Sequence, residues 1–241
     1  MQIFDYLSFR FIIFKQKYIG EAIMDDDFDY VLFKPWVGKK YWDEGYNGLR
    51  ILVIGNSHYC NSRNDCQCCG IDGCEFDYDD CEDMTTSVIE KYLHRNEWEG
   101  WMRTYQNFEY ALCGHKTNRQ ESREIWNSIA FYNYLQTAVS NWKDQGDDED
   151  YDNSEDAFWE VINYLQPDYI IMWGNRVWDQ SAGYNGDNCY VLEDGSEVYL
   201  AGINHPSWKY FDYKKANQEI EDVLYSDDDD DYEDDDCDDD D

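Results

Sequence analysis

The hydrophobic pattern of the chain contains three short apolar runs, each of which ends at a glycine or a polar loop. Residues 50–54 end at Gly55, residues 169–173 end at Gly174, and residues 197–203 lead into His205. Apolar runs of this length, bounded in this way, predict buried strands of a mainly parallel sheet. The third run is preceded by a shorter one at 190–192. The intervening Glu193-Asp194-Gly195-Ser196 favours a hairpin turn.

Longer segments with apolar residues three or four positions apart predict helices between these strands. We expect helices at 85–94, 98–112, 154–165, 175–179 and 214–224, with a helical turn at 122–128. Ser154 should cap the third of these helices, and Thr85 or Thr86 the first. Three segments give weaker signals: 35–38 favours a turn, 129–136 a strand or loop, and 142–152 a charged surface loop. Because strands and helices alternate, the fold class is α/β.

The composition divides the chain into three parts. We expect one domain at 35–225, preceded by a partly disordered extension at 1–34 and followed by an acidic tail at 226–241. The tail holds thirteen of the 54 acidic residues and no Lys or Arg. Like charges at this density repel one another, which predicts disorder. Such a tail can solubilise the chain, bind a basic protein partner, or mimic the charge of a nucleic acid.

The acidity of the remaining residues limits the functions that the chain can have. Its formal net charge is −35, with only nineteen Lys and Arg. Contacts to phosphate need basic side chains, so this balance argues against nonspecific nucleic-acid binding, although a local basic groove would still permit it. No apolar stretch reaches eighteen residues, and the first segment lacks a cleavage site for a secretory signal. We therefore expect a cytoplasmic protein, monomeric and without a membrane partner.

Six of the nine cysteines crowd into an insertion at 60–81. In a reducing compartment, crowded cysteines indicate metal binding more readily than disulfides. Their spacing is not that of a standard zinc finger, but structural zinc held by thiolates tolerates variation in its loops; an iron–sulfur cluster is the rarer alternative. Free thiols in a variable loop and disulfides remain open. A subset of the six would bind the metal: Cys60, Cys66, Cys68, Cys69, Cys74 and Cys81.

Two loops at the ends of predicted strands carry most of the candidate chemistry. One is Gly55-Asn56-Ser57-His58-Tyr59, and the other is His205-Pro206-Ser207. Open α/β sheets form their ligand sites at the carboxyl ends of strands, where neighbouring loops converge. The two loops therefore predict one pocket, although they stand about 145 residues apart in the sequence.

Four pieces in this order resemble the uracil-DNA glycosylase superfamily, and more closely its uncharacterised glycosylase-like branch than its proven enzymes. They are the Gly55–Tyr59 loop, the 129–136 segment, the strand that ends at Gly174-Asn175, and His205-Pro206-Ser207. The resemblance covers roughly residues 35–224. It implies a three-layer α/β/α sandwich around a short, mainly parallel sheet.

The resemblance also implies a role for each matching residue. In the family, the third residue of the first motif positions the attacking water and its tyrosine forms a wall of the base pocket; Ser57 and Tyr59 match these positions. A neutral histidine in His-Pro-Ser donates a hydrogen bond to the departing base, which implies this role for His205. Asn133 is the best match for the asparagine that recognises the base. The remaining pocket residues would be Gly55, Asn56, Gly174, Asn175, Pro206 and Ser207.

Ser57 departs from the family pattern, which commonly has a carboxylate or an amide at this position. Breaking an N-glycosidic bond develops positive charge on the sugar and negative charge on the base. A hydroxyl is uncharged at neutral pH, so it stabilises a cationic sugar poorly and is a weak base. His58 could replace the missing base.

We therefore expect a divergent glycosylase-like protein that binds a nucleobase, a nucleotide or DNA and requires no cofactor. The sequence leaves open whether it cleaves an N-glycosidic bond. One alternative is a noncatalytic nucleotide or nucleic-acid binding module on the same fold. The other is an acidic interaction protein.

Overall fold

A single six-stranded sheet organises the part of the chain that the structure, a computed structural model, describes: residues 28–60, 81–139, 144–181 and 188–225. Its strand order is β1-β3-β2-β4-β6-β5. The four inner strands are parallel to one another, and the two edge strands are antiparallel to their neighbours. The strands are β1 Trp36–Val37, β2 Ile51–Gly55, β3 Ala130–Asn133, β4 Tyr169–Trp173, β5 Cys189–Val191 and β6 Glu197–Ile203.

Helices cover both faces of the sheet. In the described residues they are α1 Met84–Leu93, α2 Met102–Cys113, α3 Arg119–Ser128, α4 Asp148–Asp152, α5 Glu155–Leu165, α6 Asn175–Gln180 and α7 Tyr213–Leu224. One apolar core lies between the sheet and α5, and the other between the opposite face and α1, α2, α3 and α7. This confirms the α/β class and the mainly parallel sheet. None of the described helices is both long enough and apolar enough to cross a membrane.

The strand predictions for β2, β4 and the β5–β6 hairpin are confirmed, but two segments differ from prediction. Residues 35–38 were expected to form a turn, yet Trp36 and Val37 form β1 against β3. Residues 142–152 were expected to form a surface loop, yet residues 148–152 form α4. This short helix is stabilised by reciprocal capping between Asp147 and Asp150 and by the buried side chain of Tyr151.

Helix capping also differs from prediction. Ser154 precedes α5 but makes no capping hydrogen bond; its hydroxyl donates to the carbonyl oxygen of Asp150 instead. Thr85 lies inside α1 and is fully buried, so it cannot cap that helix. In contrast, the predicted helical turn at 122–128 forms the last seven of the ten residues of α3, which begins earlier because Asn118 and Glu121 form a capping box.

Residues 28–34, which the sequence places in the extension, lie against the domain. Phe33 is buried with Cys60, Cys81 and Ala138 in a small third cluster. The backbone of Phe33 donates to the Gln136 side chain over 2.9 Å. Residues 1–27 and the acidic tail at 226–241 lie outside the described residues.

A buried carboxylate connects three of the helices on one face of the sheet. Glu109 of α2 is fully buried. Its Oε1 accepts hydrogen bonds from Tyr92 Oη at 2.7 Å, Ser122 Oγ at 2.5 Å and Trp126 Nε1 at 2.9 Å. Its Oε2 accepts from Thr117 Oγ1 at 2.6 Å. Burying a polar group is costly unless it is hydrogen-bonded. The fold therefore needs these four donors to offset the cost of burying Glu109.

Candidate functional site

The parallel strands bring the two predicted motif loops to the same edge of the sheet. The first loop follows β2 and the second follows β6, with β4 between them. Gly55 pairs in register with Asn133, and Trp173 pairs with Ile203, two residues before His205. The candidate residues of all four strands therefore lie at one carboxyl edge, as expected for a site in an open α/β sheet.

His205 is held as a neutral imidazole with its proton on Nε2. Its Nδ1 accepts a hydrogen bond from the backbone N–H of Ser207 at 3.1 Å, and Ser207 Oγ lies 2.8 Å from the same nitrogen. An amide N–H can only donate, so Nδ1 must be unprotonated. Burial lowers the pKa of His205 from 6.5 to about 4. At neutral pH the ring therefore presents an uncharged Nε2–H donor.

A side chain of α2 and the glycine that follows β4 border the His205 loop. Asn107 of α2 donates from Nδ2 to the carbonyl oxygen of Pro206 at 2.7 Å. Gly174, which follows β4, adopts φ +93°, and a Cβ added there would lie 3.3 Å from the Cβ of His205. Pro206 is buried, whereas Ser207 and Asn175 are exposed. Asn107 was not predicted, because its position on a helix gave no functional signal.

The β2 loop is held by the side chain of Tyr151 and by the backbone of Gln145. Tyr151 donates its hydroxyl to Asn56 Oδ1, which fixes the orientation of the Asn56 amide. Asn56 Nδ2 then donates to the carbonyl oxygen of Gln145 at 3.3 Å and to Ser57 Oγ at 3.1 Å. Burial raises the pKa of Tyr151 to about 12, so its hydroxyl remains protonated. Since Ser57 Oγ accepts from Asn56, it can donate its own hydrogen to a ligand.

Arg176 supplies a positive charge beside this loop. Its Nη2 donates to the carbonyl oxygen of Gly146 at 2.9 Å, and its guanidinium carbon lies 5.3 Å from the Tyr151 ring centroid. Asp148 Oδ1 is 3.5 Å from Nη2, but its side chain is 84% exposed, so the pair is weak. The buried Nε of Arg176 has no hydrogen-bond partner among the described residues.

His58 lies below the site rather than in it. Its ring is 5% exposed, and Nε2 lies 2.9 Å from Thr85 Oγ1. Asn133 Nδ2 is 3.1 Å from Nε2 and 3.3 Å from Nδ1, and the Phe33 ring packs edge-on. Burial lowers the pKa of His58 from 6.5 to about 3. The ring is therefore engaged inside the protein with Thr85 and Asn133, contacts that do not favour the general-base role at Ser57, which stays a prediction.

Asn133 is also buried, with 5% of its surface exposed. Its amide nitrogen faces His58, and its Oδ1 lies against Gly55, where an added Cβ would be only 2.3 Å away. The carboxamide expected to recognise a base is therefore engaged within the protein.

Tyr59 is 56% exposed, and its backbone pairs with Val139. Its predicted place at the wall of the site is compatible with this exposure. Three rings at this edge of the sheet are contiguous: the Phe131 centroid lies 5.0 Å from that of Trp173, and the Trp173 centroid lies 6.1 Å from that of His205.

Gly55→Ala should destabilise the protein by about 1–3 kcal/mol, because the new methyl group would overlap Asn133 Oδ1 and crowd Phe131. Urea denaturation measures the change. Gly100→Ala is the matched control, since nothing lies within 4 Å of its added Cβ. Equal stabilities of the two variants would contradict the close packing of Gly55 on Asn133.

The metal prediction is mostly outside the described residues. Cys66, Cys68, Cys69 and Cys74 lie in 61–80, whereas Cys60 and Cys81 are buried in the third cluster. Within the described ranges, no group of three or more His, Cys, Asp and Glu side chains is placed to bind a metal ion.

A separate surface cavity of about 290 Å³ lies beside the residues that precede β2 and β3. Its polar lining includes Tyr46, Cys113, His115, Thr117, Glu121 and Glu124. It contains none of the predicted site residues.

No model of a known protein family matches the chain, and no curated protein is significantly similar to it. The functional argument therefore depends on the geometry at the carboxyl edge of the sheet.

Proposed function

We propose that this chain is a divergent member of the uracil-DNA glycosylase superfamily that recognises an oxo-bearing nucleobase in single-stranded nucleic acid. The observation that carries the proposal is His205, whose Nδ1 accepts from the Ser207 backbone and whose Nε2–H is therefore a fixed, neutral donor. A donor of this kind suits the carbonyl oxygen of a base and stabilises the negative charge that develops there.

The residues around His205 support a nucleic-acid ligand. Trp208 and Tyr210 are 49% and 66% exposed, with ring centroids 5.4 Å apart. The Lys209 ammonium lies 4.5 Å from the Tyr210 ring centroid. Exposed aromatic rings stack on unpaired bases and basic side chains contact phosphate. These local features allow a short stretch of nucleic acid to bind despite the acidity of the whole chain.

The geometry favours recognition over hydrolysis. Among the described residues, no carboxylate hydrogen-bonds to Ser57, and the Ser57 oxygen already accepts from Asn56. The histidine next to it is buried and turned toward Thr85. Without a base for water or an anion for the sugar cation, cleavage should be slow or absent. This favours the binding module over an efficient glycosylase.

The test is binding of a fluorescent single-stranded oligonucleotide that contains one uracil, measured by anisotropy at neutral pH. We expect wild type to bind it more tightly than a matched oligonucleotide with an abasic site. His205→Ala should weaken binding of the uracil oligonucleotide about tenfold, because a donor to the base is lost. His94→Ala, on the exposed end of α1, is the matched control and should bind as wild type does.

Cleavage is followed on a gel with the same oligonucleotide. Rapid release of uracil by wild type would contradict the expectation that recognition predominates. Equal binding of the uracil and abasic oligonucleotides would contradict the proposed function itself. Deletion of 226–241 tests the alternative in which the acidic tail is the functional part; uracil binding should survive it.

A further inference from the structure

Asn133 cannot perform the role that the sequence predicts for it without breaking internal contacts. Its amide nitrogen lies within 3.3 Å of both ring nitrogens of His58, and its oxygen is packed on Gly55. To turn its hydrogen-bonding edge toward a ligand, it would have to leave a buried histidine without this contact. A site at this edge therefore needs another group to recognise the base.

Tyr105 of α2 occupies a suitable position. The ring lies among five other aromatic rings, with centroid distances of 5.4–5.9 Å. Two of these neighbours connect it to the site: Phe131, which lies against Gly55, and Trp173, which packs edge-on against His205. The body of Tyr105 is thus held firmly beside the two motif loops.

The hydroxyl of Tyr105 makes no hydrogen bond to any described residue, and its oxygen is not one of the buried polar atoms without a partner in the described part of the chain. The oxygen is therefore accessible to solvent or to a ligand. Burial and the neighbouring Tyr59 raise the pKa of Tyr105 above its ordinary value. At neutral pH the group is therefore a protonated donor, and Tyr59 of the β2 loop is its electrostatic neighbour.

We infer that Tyr105, rather than Asn133, is the residue that determines base specificity in this site. Its hydroxyl would donate to one carbonyl oxygen of an oxo-substituted base while His205 Nε2–H donates to another. The inference rests on the proposed function, which supplies the base. The site would then present two hydrogen-bond donors to the base. A base that carries amino groups at the corresponding positions would therefore bind poorly.

Tyr105→Phe tests the inference because it removes one oxygen and keeps the ring. With wild type we expect tighter binding of the uracil oligonucleotide than of the abasic one. Tyr105→Phe should lose about tenfold in affinity for the uracil oligonucleotide and nothing for the abasic one. Since the hydroxyl bonds to no described residue, the urea midpoint should not fall. Tyr110→Phe is the matched control on the same helix, where Tyr110 packs against Tyr213.

The possible failures are distinguishable. If wild type prefers uracil and Tyr105→Phe keeps the full preference, the inference about Tyr105 is wrong and the proposed function stands. If wild type shows no preference for uracil, both are wrong. A lower urea midpoint for Tyr105→Phe would show that the hydroxyl has a structural partner, which overturns the role assigned to it.

Discussion

Glu109→Leu should lower the free energy of unfolding by about 4 kcal/mol, the largest loss that we expect from a single substitution in this protein. Leucine fills a similar volume but accepts no hydrogen bonds. The hydroxyls of Tyr92 and Ser122 and the indole N–H of Trp126 would lose their common acceptor inside the helical layer. Urea denaturation at neutral pH measures the loss.

Glu109→Gln separates the hydrogen bonds from the charge. The amide oxygen can still accept the three donors that converge on Oε1, and the amide nitrogen can donate to Thr117 if that hydroxyl rotates. We expect a smaller loss, about 1–2 kcal/mol. The exposed control Glu90→Gln on α1 should stay within about 0.5 kcal/mol of wild type. A loss below 1 kcal/mol for Glu109→Leu would show that the network contributes little to the fold.

The Glu109 network also shows where sequence reasoning ends. The helix 98–112 could be predicted from its apolar stripe of Trp101, Tyr105, Phe108 and Leu112. Glu109 falls beside this stripe and looks like any surface acid, because nothing local reveals that two other helices and Thr117 direct donors toward it. Buried polar networks depend on contacts between distant segments, and hydrophobic periodicity carries no information about those contacts.

The sheet was predictable for the opposite reason. Apolar runs bounded by Gly55 and Gly174 predict buried strands whatever their partners are, and the structure confirms both. The two-residue strand β1 was missed because so short a strand has no periodicity. Helix α4 was missed because its capping pair, Asp147 and Asp150, belongs to an acidic segment that resembles a solvated loop.

Within the candidate site, motif matching located the loops but not the direction of their side chains. Ser57 and His205 lie at the predicted edge, whereas His58 and Asn133 turn inward toward each other. Adjacent side chains at a strand end diverge, so one residue of a motif faces the ligand while the next faces the core. The spacing of Tyr105 indicates only that it lies on the apolar stripe of its helix, and the sequence does not show that its hydroxyl lacks a described partner.

The inward turn of His58 predicts a loss of stability in mild acid. Burial lowers the pKa of His58 in the folded state to about 3, against 6.5 for the ordinary side chain. Between these values the unfolded chain binds a proton that the folded protein does not, so the free energy of unfolding falls as the pH falls below 6.5. The contribution reaches about 2 kcal/mol at pH 5. His205, whose pKa is lowered to about 4, acts in the same direction.

The acidity of the chain opposes this effect, but at lower pH. A net charge of −35 favours unfolding through repulsion, and protonated carboxylates would relieve it. Ordinary carboxyl groups titrate near pH 4, so the histidine effect dominates between pH 6.5 and 5.

His58→Gln removes the titrating ring and retains an amide near Thr85. From urea denaturation at pH 7 and pH 5, the drop in unfolding free energy should be about 2 kcal/mol smaller in the variant than in wild type. Equal drops in the two proteins would show that the pKa of His58 is not lowered. Because each drop is measured within one protein, any constant cost of the substitution cancels.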